Sequence, residues 1–105
     1  MCSMGAAGKL NRTGMEACRK GRFDEAESML LTALRLVQTR GANCTQAKIR
    51  NNLGIVCELQ GHREKALGHY RTALELMKGK ATPSHPLHIR INEGLARLAA
   101  AGPAS

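Results

Sequence analysis

The sequence reads KGRFDEA at residues 20–26 and QGHREKA at residues 60–66, two versions of one pattern forty residues apart. In each copy a glycine separates two stretches rich in helix-forming residues. Glycine tolerates the left-handed backbone that a tight helix–helix turn needs. Asp24 and Glu25 follow the first turn and suit the start of a helix, where backbone N–H groups attract negative charge. The pattern therefore predicts two helical hairpins.

The forty-residue period extends well beyond these turns. Gly14, Gly54 and Gly94 share one repeat position. The same offset pairs further identical residues: Asn11 with Asn51, Gly21 with Gly61, Ala26 with Ala66, Ala33 with Ala73, Leu34 with Leu74, Leu36 with Leu76, Ile49 with Ile89, Arg50 with Arg90 and Asn52 with Asn92. Small and apolar identities at one offset indicate an internal structural repeat.

Helical periodicity gives the expected elements. Apolar residues recur at spacings of three and four in both second helices, as in Ala26, Leu30, Ala33 and Leu34. We expect five helices: Lys9 to Lys20, Phe23 to about Gln38, Thr45 to Gln60, Arg63 to about Met77, and a last one, capped by Ser84 with Pro86 in its first turn, to about Ala100.

Composition supports an all-α chain. Hydrophobic residues make up 43% of the 105 residues, yet there is one Tyr, one Phe and no Trp, which argues against a β-rich fold. One domain over 1–105 is expected. It divides into repeat 1 (5–40), repeat 2 (44–80), a half repeat or capping helix (84–101) and a frayed tail (102–105).

The two hairpin patterns, with Ala33-Leu34 and Ala73-Leu74 downstream, resemble the tetratricopeptide repeat. The usual period of that family is about 34 residues. The longer period here, with Asn51-Asn52-Leu53-Gly54 and Ser84-His85-Pro86, is similar to the kinesin-light-chain-like subclass. The resemblance implies a right-handed superhelical array of antiparallel helix pairs, an α–α solenoid of about two and a half repeats. It also implies a scaffold or adaptor that binds a protein or peptide.

In such arrays each first helix lines a concave groove. The groove candidates are Asn11, Met15, Lys48, Asn51, Asn52, Ile55, His88, Ile91, Asn92 and Leu95. Met15, Ile55 and Leu95 share one repeat position and form an apolar stripe, although packing against neighbouring helices would also explain them. An Asn amide can both donate to and accept from a peptide backbone, and the resemblance implies that role for Asn52 and Asn92.

The same family includes clamps for the acidic C-terminus of heat-shock chaperones, made of Lys, Asn, Asn, Lys and Arg. This sequence has Asn11, Met15, Asn52, His88 and Asn92 at those positions. Without the cations a terminal carboxylate has little to pair with, so we do not expect that ligand. The net charge of +8 still favours an acidic protein or peptide partner.

Two other functions remain open from the sequence. The last helix has no successor to cover it, so Leu95, Leu98 and Ala99 are candidates for self-association into a homo-oligomer. RNA binding would rest on charge alone, and nucleic acid is not the expected partner because stacking aromatic residues are scarce.

We expect neither an enzyme nor a cofactor. No catalytic motif or phosphate loop is evident. Cys2, Cys18, Cys44 and Cys57 form no Cys-x-x-Cys pair and share no zinc-finger spacing with histidines. We expect free thiols and no metal site. No apolar run approaches the roughly 18 to 20 residues of a membrane span, so a soluble cytoplasmic protein is expected.

Overall fold

The computed structural model describes residues 5–39, 41, 43–79 and 82–101 of the chain. These residues form five helices: α1 (Gly5–Arg19), α2 (Phe23–Gln38), α3 (Asn43–Leu59), α4 (Arg63–Met77) and α5 (Pro86–Ala101). The expected all-α architecture is confirmed, and α1 begins four residues before the expected Lys9. The tail expected at 102–105 lies outside the described residues.

The two hairpin turns have the same geometry. Gly21 has a φ of +79° and Gly61 a φ of +81°, the left-handed conformation that glycine adopts without steric penalty. In each turn the next backbone N–H reaches back into the first helix, with Arg22 N–H donating to the Ala17 carbonyl at 2.9 Å. Turns this short make α1 and α2, and likewise α3 and α4, antiparallel neighbours.

Near the middle of the first helices, a layer of three glycines allows neighbouring helices to approach closely. A Cβ built on Gly14 would lie 3.1 Å from Leu30 Cγ. On Gly54 or Gly94 it would lie 2.6 Å from ring carbons of Tyr70. Glycine at these three positions therefore allows the close helix contact. Tyr70 fills the space between α3 and α5 that their glycines leave.

The core consists of two neighbouring apolar clusters. The first includes Ala26, Leu30, Ala33, Leu34, Val37, Ile49, Leu53 and Val56. The second includes Ala47, Cys57, Ala66, Leu67, Tyr70, Ala73, Met77, Leu87, Ile91 and Leu98. Because α3 contributes to both clusters, it is the central helix and couples the two hairpins.

The helices form two layers with unequal spacing. The first helices α1, α3 and α5 are direct neighbours, whereas the backbones of α2 and α4 do not come into contact. Side chains bridge α2 and α4, with Lys65 Nζ 2.8 Å from Glu27 Oε2. The layer with the closer spacing lies on the inner side of a curve, so the exposed faces of α1, α3 and α5 form the concave side.

The start of α5 differs from the expectation by one residue. Ser84 was expected as the cap, but the Leu87 N–H donates to His85 Nδ1 at 3.1 Å. The His85 carbonyl accepts the Ile89 N–H at 3.0 Å. His85 therefore caps α5, which places Pro86 at the first helical position. There its missing N–H costs least, which explains the shift from Ser84.

Candidate functional site

The concave side presents three rows of equivalent residues, which we call the groove face. One row is Lys48 and His88, the next is Arg12, Asn52 and Asn92, and the third is Met15, Ile55 and Leu95. Lys48, Arg12 and Asn92 are exposed, and the others are half-buried. The structure thus brings seven of the ten predicted groove residues together: Met15, Lys48, Asn52, Ile55, His88, Asn92 and Leu95.

The other three predicted groove residues are buried and do not line the groove. Asn11 is 6% exposed, Asn51 3% and Ile91 0%. They occupy one repeat position, adjacent to the row of Asn52 and therefore turned about 100° around the helix. This rotation directs them into the packed interior. Ile91 belongs to the second core cluster.

Asn11 nevertheless supports the groove face from below. Asn52 Nδ2 donates to Asn11 Oδ1 over 2.8 Å, which ties α3 to α1 and fixes the Asn52 amide. Asn92, at the equivalent position on α5, is exposed. The two amides predicted to grip a peptide thus differ, because one is already engaged and the other faces solvent.

Charge is distributed unevenly along the helices. We divide the molecule at the glycine layer into a turn half, which contains Gly21 and Gly61, and a basic half at the other end. The turn half has six cations and six acids. The described part of the basic half has two acids, Glu75 and Glu93, and eight cations: Lys9, Arg12, Arg35, Lys48, Arg50, Arg71, Lys78 and Arg90. The excess positive charge therefore lies at one end.

Ion pairing reinforces this asymmetry. The turn half contains five ion pairs: Arg19–Glu16, Arg22–Glu25, Arg63–Glu64, Lys65–Glu27 and Arg97–Glu58. Among the described residues, the basic half contains one, Lys78–Glu75. Lys48 and Arg90 have no acidic partner in the described part of the chain, so their charges are available to a ligand.

A pocket of about 320 Å³ opens in the basic half, between the first turns of α3 and α5. Its lining consists of Cys44, Thr45, Lys48, His85, Leu87 and Arg90. Only Lys48 among these was a predicted site residue. Residues 44 and 48 share a helix face with Asn52, a spacing that could have indicated Cys44, but the approach of the 82–85 segment has no local sequence signal.

Leu59 is a second surface feature that the sequence interpretation missed. Its side chain is 59% exposed, and it lies one turn beyond Ile55 on the same side of α3. An apolar residue four positions after a groove candidate was the available signal. Leu59 extends the apolar row toward the turn half.

A family comparison agrees with this geometry. The sequence model for the tetratricopeptide repeat matches residues 6–79, well over half of the chain. The chain belongs to the tetratricopeptide repeat family. A comparison with curated protein sequences finds no significant match.

Membership gives the tetratricopeptide array a general role. Repeats of this family are protein–protein interaction modules and are typically non-catalytic. The match spans α1 to α4 and ends before α5 begins at Pro86. None of the described helices is long and apolar enough to cross a membrane.

A polar cluster joins the last tetratricopeptide hairpin to α5. Tyr70 OH donates to Glu58 Oε1 at 2.8 Å, and Arg97 Nε donates to Glu58 Oε2 at 2.9 Å. Hydrogen bonding from Arg97 lowers the pKa of Glu58, against the effect of its partial burial. Burial, with the bond to Glu58, raises the pKa of Tyr70. The carboxylate therefore stays charged and the phenol stays neutral at neutral pH.

The cysteines divide into two groups. Cys18 and Cys57 are buried within the tetratricopeptide hairpins, and burial raises the pKa of both thiols. A protonated thiol is a poor nucleophile, so these two act as small apolar core residues. Cys44 is exposed at the pocket. Within the described ranges, no three His, Cys, Asp or Glu residues are grouped to hold a metal ion.

The predicted self-association residues are only partly exposed. Leu98 is 6% exposed and belongs to the second core cluster, because α5 turns this side toward α4. Leu95 packs against the same cluster, and Ala99 is exposed. The large apolar side chain on the open side of α5 is instead Ile89, which is 44% exposed.

Proposed function

We propose that this tetratricopeptide array is a scaffold or adaptor module that holds an extended, acidic peptide segment of a protein partner on its groove face. The observation that carries the proposal is the repetition of one half-exposed apolar position, Met15, Ile55 and Leu95, across three neighbouring helices. Polar amides and unpaired cations lie beside it.

Helix spacing supports an extended ligand. Packed helices lie about 8 to 10 Å apart, and three residues of a polyproline-II-like segment span about 9 Å. A peptide crossing α1, α3 and α5 can therefore place every third side chain against Met15, Ile55 and Leu95 in turn. The apolar row would supply contact area at each step.

The amides beside this row suit a peptide backbone. Asn92 is exposed and can both donate and accept. Asn52 is held by Asn11 and is oriented before a ligand arrives, which reduces the entropy lost on binding. The cations of the basic half attract acidic residues in the ligand. The forty-residue period supports assignment to the kinesin-light-chain-like subclass.

The test is a display selection of random peptides against the wild-type module, followed by affinity measurement with variants. Asn92→Ala with Leu59→Ser removes one exposed amide and one exposed apolar side chain near the groove. The matched control, Thr72→Ala with Leu36→Ser, changes exposed residues on α4 and α2. We expect about tenfold weaker binding in the groove variant, since one hydrogen bond contributes about 1 kcal/mol and the lost apolar contact of Leu59 adds to it.

Equal binding by both double variants would contradict the groove assignment. Asn52→Ala is less suitable as a test, because it also leaves the buried Asn11 amide without its partner. A destabilised fold would then be confused with a lost contact.

Self-association is a second candidate, favoured by one observation. Ile89 is 44% exposed, whereas its equivalent on α3, Ile49, is fully buried against the first core cluster. A second copy would cover Ile89 in the same way. Light scattering at increasing concentration should show a dimer that Ile89→Gln disrupts. A strict monomer at millimolar concentration would remove this candidate.

A further inference from the structure

We propose that the pocket between the first turns of α3 and α5 is an oxyanion subsite that takes the phosphoryl group of a phosphorylated side chain. The inference rests on the proposed function, because it assigns the chemistry of one residue of the bound peptide. It begins from the lining of the pocket, which contains Lys48, Arg90, His85 and Thr45 and no acid.

The two cationic donors of the pocket have no acidic residue to balance their charge. Lys48 lies on α3 and Arg90 on α5, and neither has an acidic partner within the described ranges. All eight acids of the chain lie in those ranges. Two cations approaching one concave space from different helices repel each other until an anion enters. Lysine and arginine are the cationic residues that most often bind phosphate in proteins.

His85 is fixed as a further donor by its role in the fold. Its Nδ1 accepts the Leu87 N–H at 3.1 Å, so the proton of the neutral ring is on Nε2. The cap holds the imidazole against α5, and His85 lines the pocket. Nε2–H is therefore an oriented donor whose position does not depend on the ligand.

Helix α3 contributes to the same attraction. Its first turn begins at Asn43 and includes Thr45, which lines the pocket and carries a hydroxyl that can donate. The first backbone N–H groups of a helix lack partners inside the helix and favour anions. This contribution adds to the side chains, and it is the four convergent donor groups that define the site.

Size and charge favour phosphoryl over carboxylate. A phosphorylated side chain carries about −1.5 to −2 charges and three acceptor oxygens at neutral pH, and a carboxylate carries one charge and two oxygens. The four donor-bearing side chains of the lining match the group with more charge and more acceptor oxygens. Apart from the predicted groove residue Lys48, the lining is distinct from the groove face, and none of it occupies the positions of the chaperone-tail clamp.

The test uses small probes and requires no known partner. Backbone amide NMR spectra of the full chain would be recorded during titration with N-acetyl-phosphoserine amide, with N-acetyl-aspartate amide and with inorganic phosphate. We expect saturable shifts confined to residues 43–48 and 85–90, for phosphoserine and for inorganic phosphate. Phosphoserine should bind at least threefold more tightly than aspartate.

Two double variants separate a site from general attraction. Lys48→Gln with Arg90→Gln should weaken phosphoserine binding at least tenfold. Lys9→Gln with Arg71→Gln removes the same charge from exposed positions in the basic half outside the pocket, and should change binding less than twofold. Equal losses in both variants, or unsaturable shifts across the whole basic half, would overturn the proposal. Aspartate binding as tightly as phosphoserine would also overturn it.

These outcomes are independent of the peptide test. If the pocket binds phosphoserine but no selected peptide responds to Asn92→Ala with Leu59→Ser, the oxyanion subsite stands and the groove assignment is contradicted. If a selected peptide responds to the groove variant but the pocket binds no anion, the groove assignment stands and the subsite is contradicted.

Discussion

The two hairpins share a backbone arrangement but differ in the side chains at their joints. A joint is here the contact between one hairpin and the first helix that follows it. At the joint between the two repeats, three positions carry Leu30 on α2, Cys18 on α1 and Cys57 on α3, all buried and uncharged. Forty residues later the same positions carry Tyr70, Glu58 and Arg97, linked by hydrogen bonds of 2.8 to 3.5 Å. At these three positions the joint between the repeats is therefore apolar and the joint to the last helix is polar. Elsewhere between the repeats, the Asn52–Asn11 and Lys65–Glu27 contacts are polar in both partners.

A second pair of positions shows the same contrast. Leu10 packs against the first cluster and Met29 is half-buried. Their equivalents Arg50 and His69 approach each other at 3.2 Å between Nη1 and Nδ1. The scaffold thus tolerates either chemistry as long as the glycine layer is kept. Polar joints add directionality and a dependence on pH that apolar joints lack, and the following predictions test that difference.

The largest effect on stability should come from replacing Tyr70 with leucine, the residue at the equivalent position of the first repeat. Tyr70→Leu removes the ring that fills the space between Gly54 and Gly94, and should lower the free energy of unfolding by about 3 kcal/mol. Tyr70→Phe keeps the ring and should cost about 1.5 kcal/mol through the lost hydroxyl bond. Urea denaturation measures both. Equal costs would mean that the ring itself contributes little.

The next effect concerns the glycines. Gly54→Ala places a methyl group 2.6 Å from the Tyr70 ring, so overpacking should exceed the gain in helix propensity and cost about 2 kcal/mol net. Gly14→Ala places a methyl group 3.1 Å from Leu30 Cγ and 3.3 Å from the Ala26 carbonyl oxygen, a milder clash, and should cost about 1 kcal/mol or less. If combining Gly54→Ala with Tyr70→Leu costs as much as the sum of the two, the steric explanation is wrong.

A smaller effect is expected at the ion pair. Arg97→Met should cost about 1 kcal/mol or less at neutral pH, because the guanidinium is half-exposed. The lowered pKa of Glu58 stabilises the fold above about pH 4.5, and this contribution is lost as the pH falls through the pKa of the folded state. Denaturation at pH 6 and pH 3 should show a smaller acid loss in the variant. An unchanged acid loss would show that the pair does not set this pKa.

The smallest effect is expected from His69. Burial lowers its pKa, as do Arg50 and Lys65, while Glu27 opposes them. The unfolded chain then takes up the proton first, and stability should decline by less than about 1 kcal/mol as the pH falls below about 6.5. His69→Met, which copies the first repeat, should show no decline between pH 7 and pH 5. A decline of the same size in both proteins would place the titrating group elsewhere.

The sequence predicted the helices and their contacts better than the surface. Helical periodicity and small residues at a fixed offset report packing directly, so the hairpins and the glycine contacts were predictable. Asn51 and Asn52 show the limit, because one is core and the other groove although they are adjacent. Periodicity defines a helix face to within about one residue, or 100°, and the approach of neighbouring helices decides the rest.

The pocket was not predictable for a related reason. Its two walls lie forty residues apart in the chain, and the segment before α5 determines how they meet. The exchange of Ser84 for His85 as the cap shows how a single residue of shift brings a different side chain to that space.

The uneven distribution of charge gives the molecule an electric dipole along its helices. Its positive end would meet an acidic partner first, since fields of this kind orient proteins during diffusional encounter. The screening length is about 8 Å at physiological salt, so the orientation acts in the last approach and raises the association rate more than the lifetime of the complex. Binding would then begin beside Lys48 and Arg90 and extend from the basic half toward the turn half, where cations and acids are equal in number.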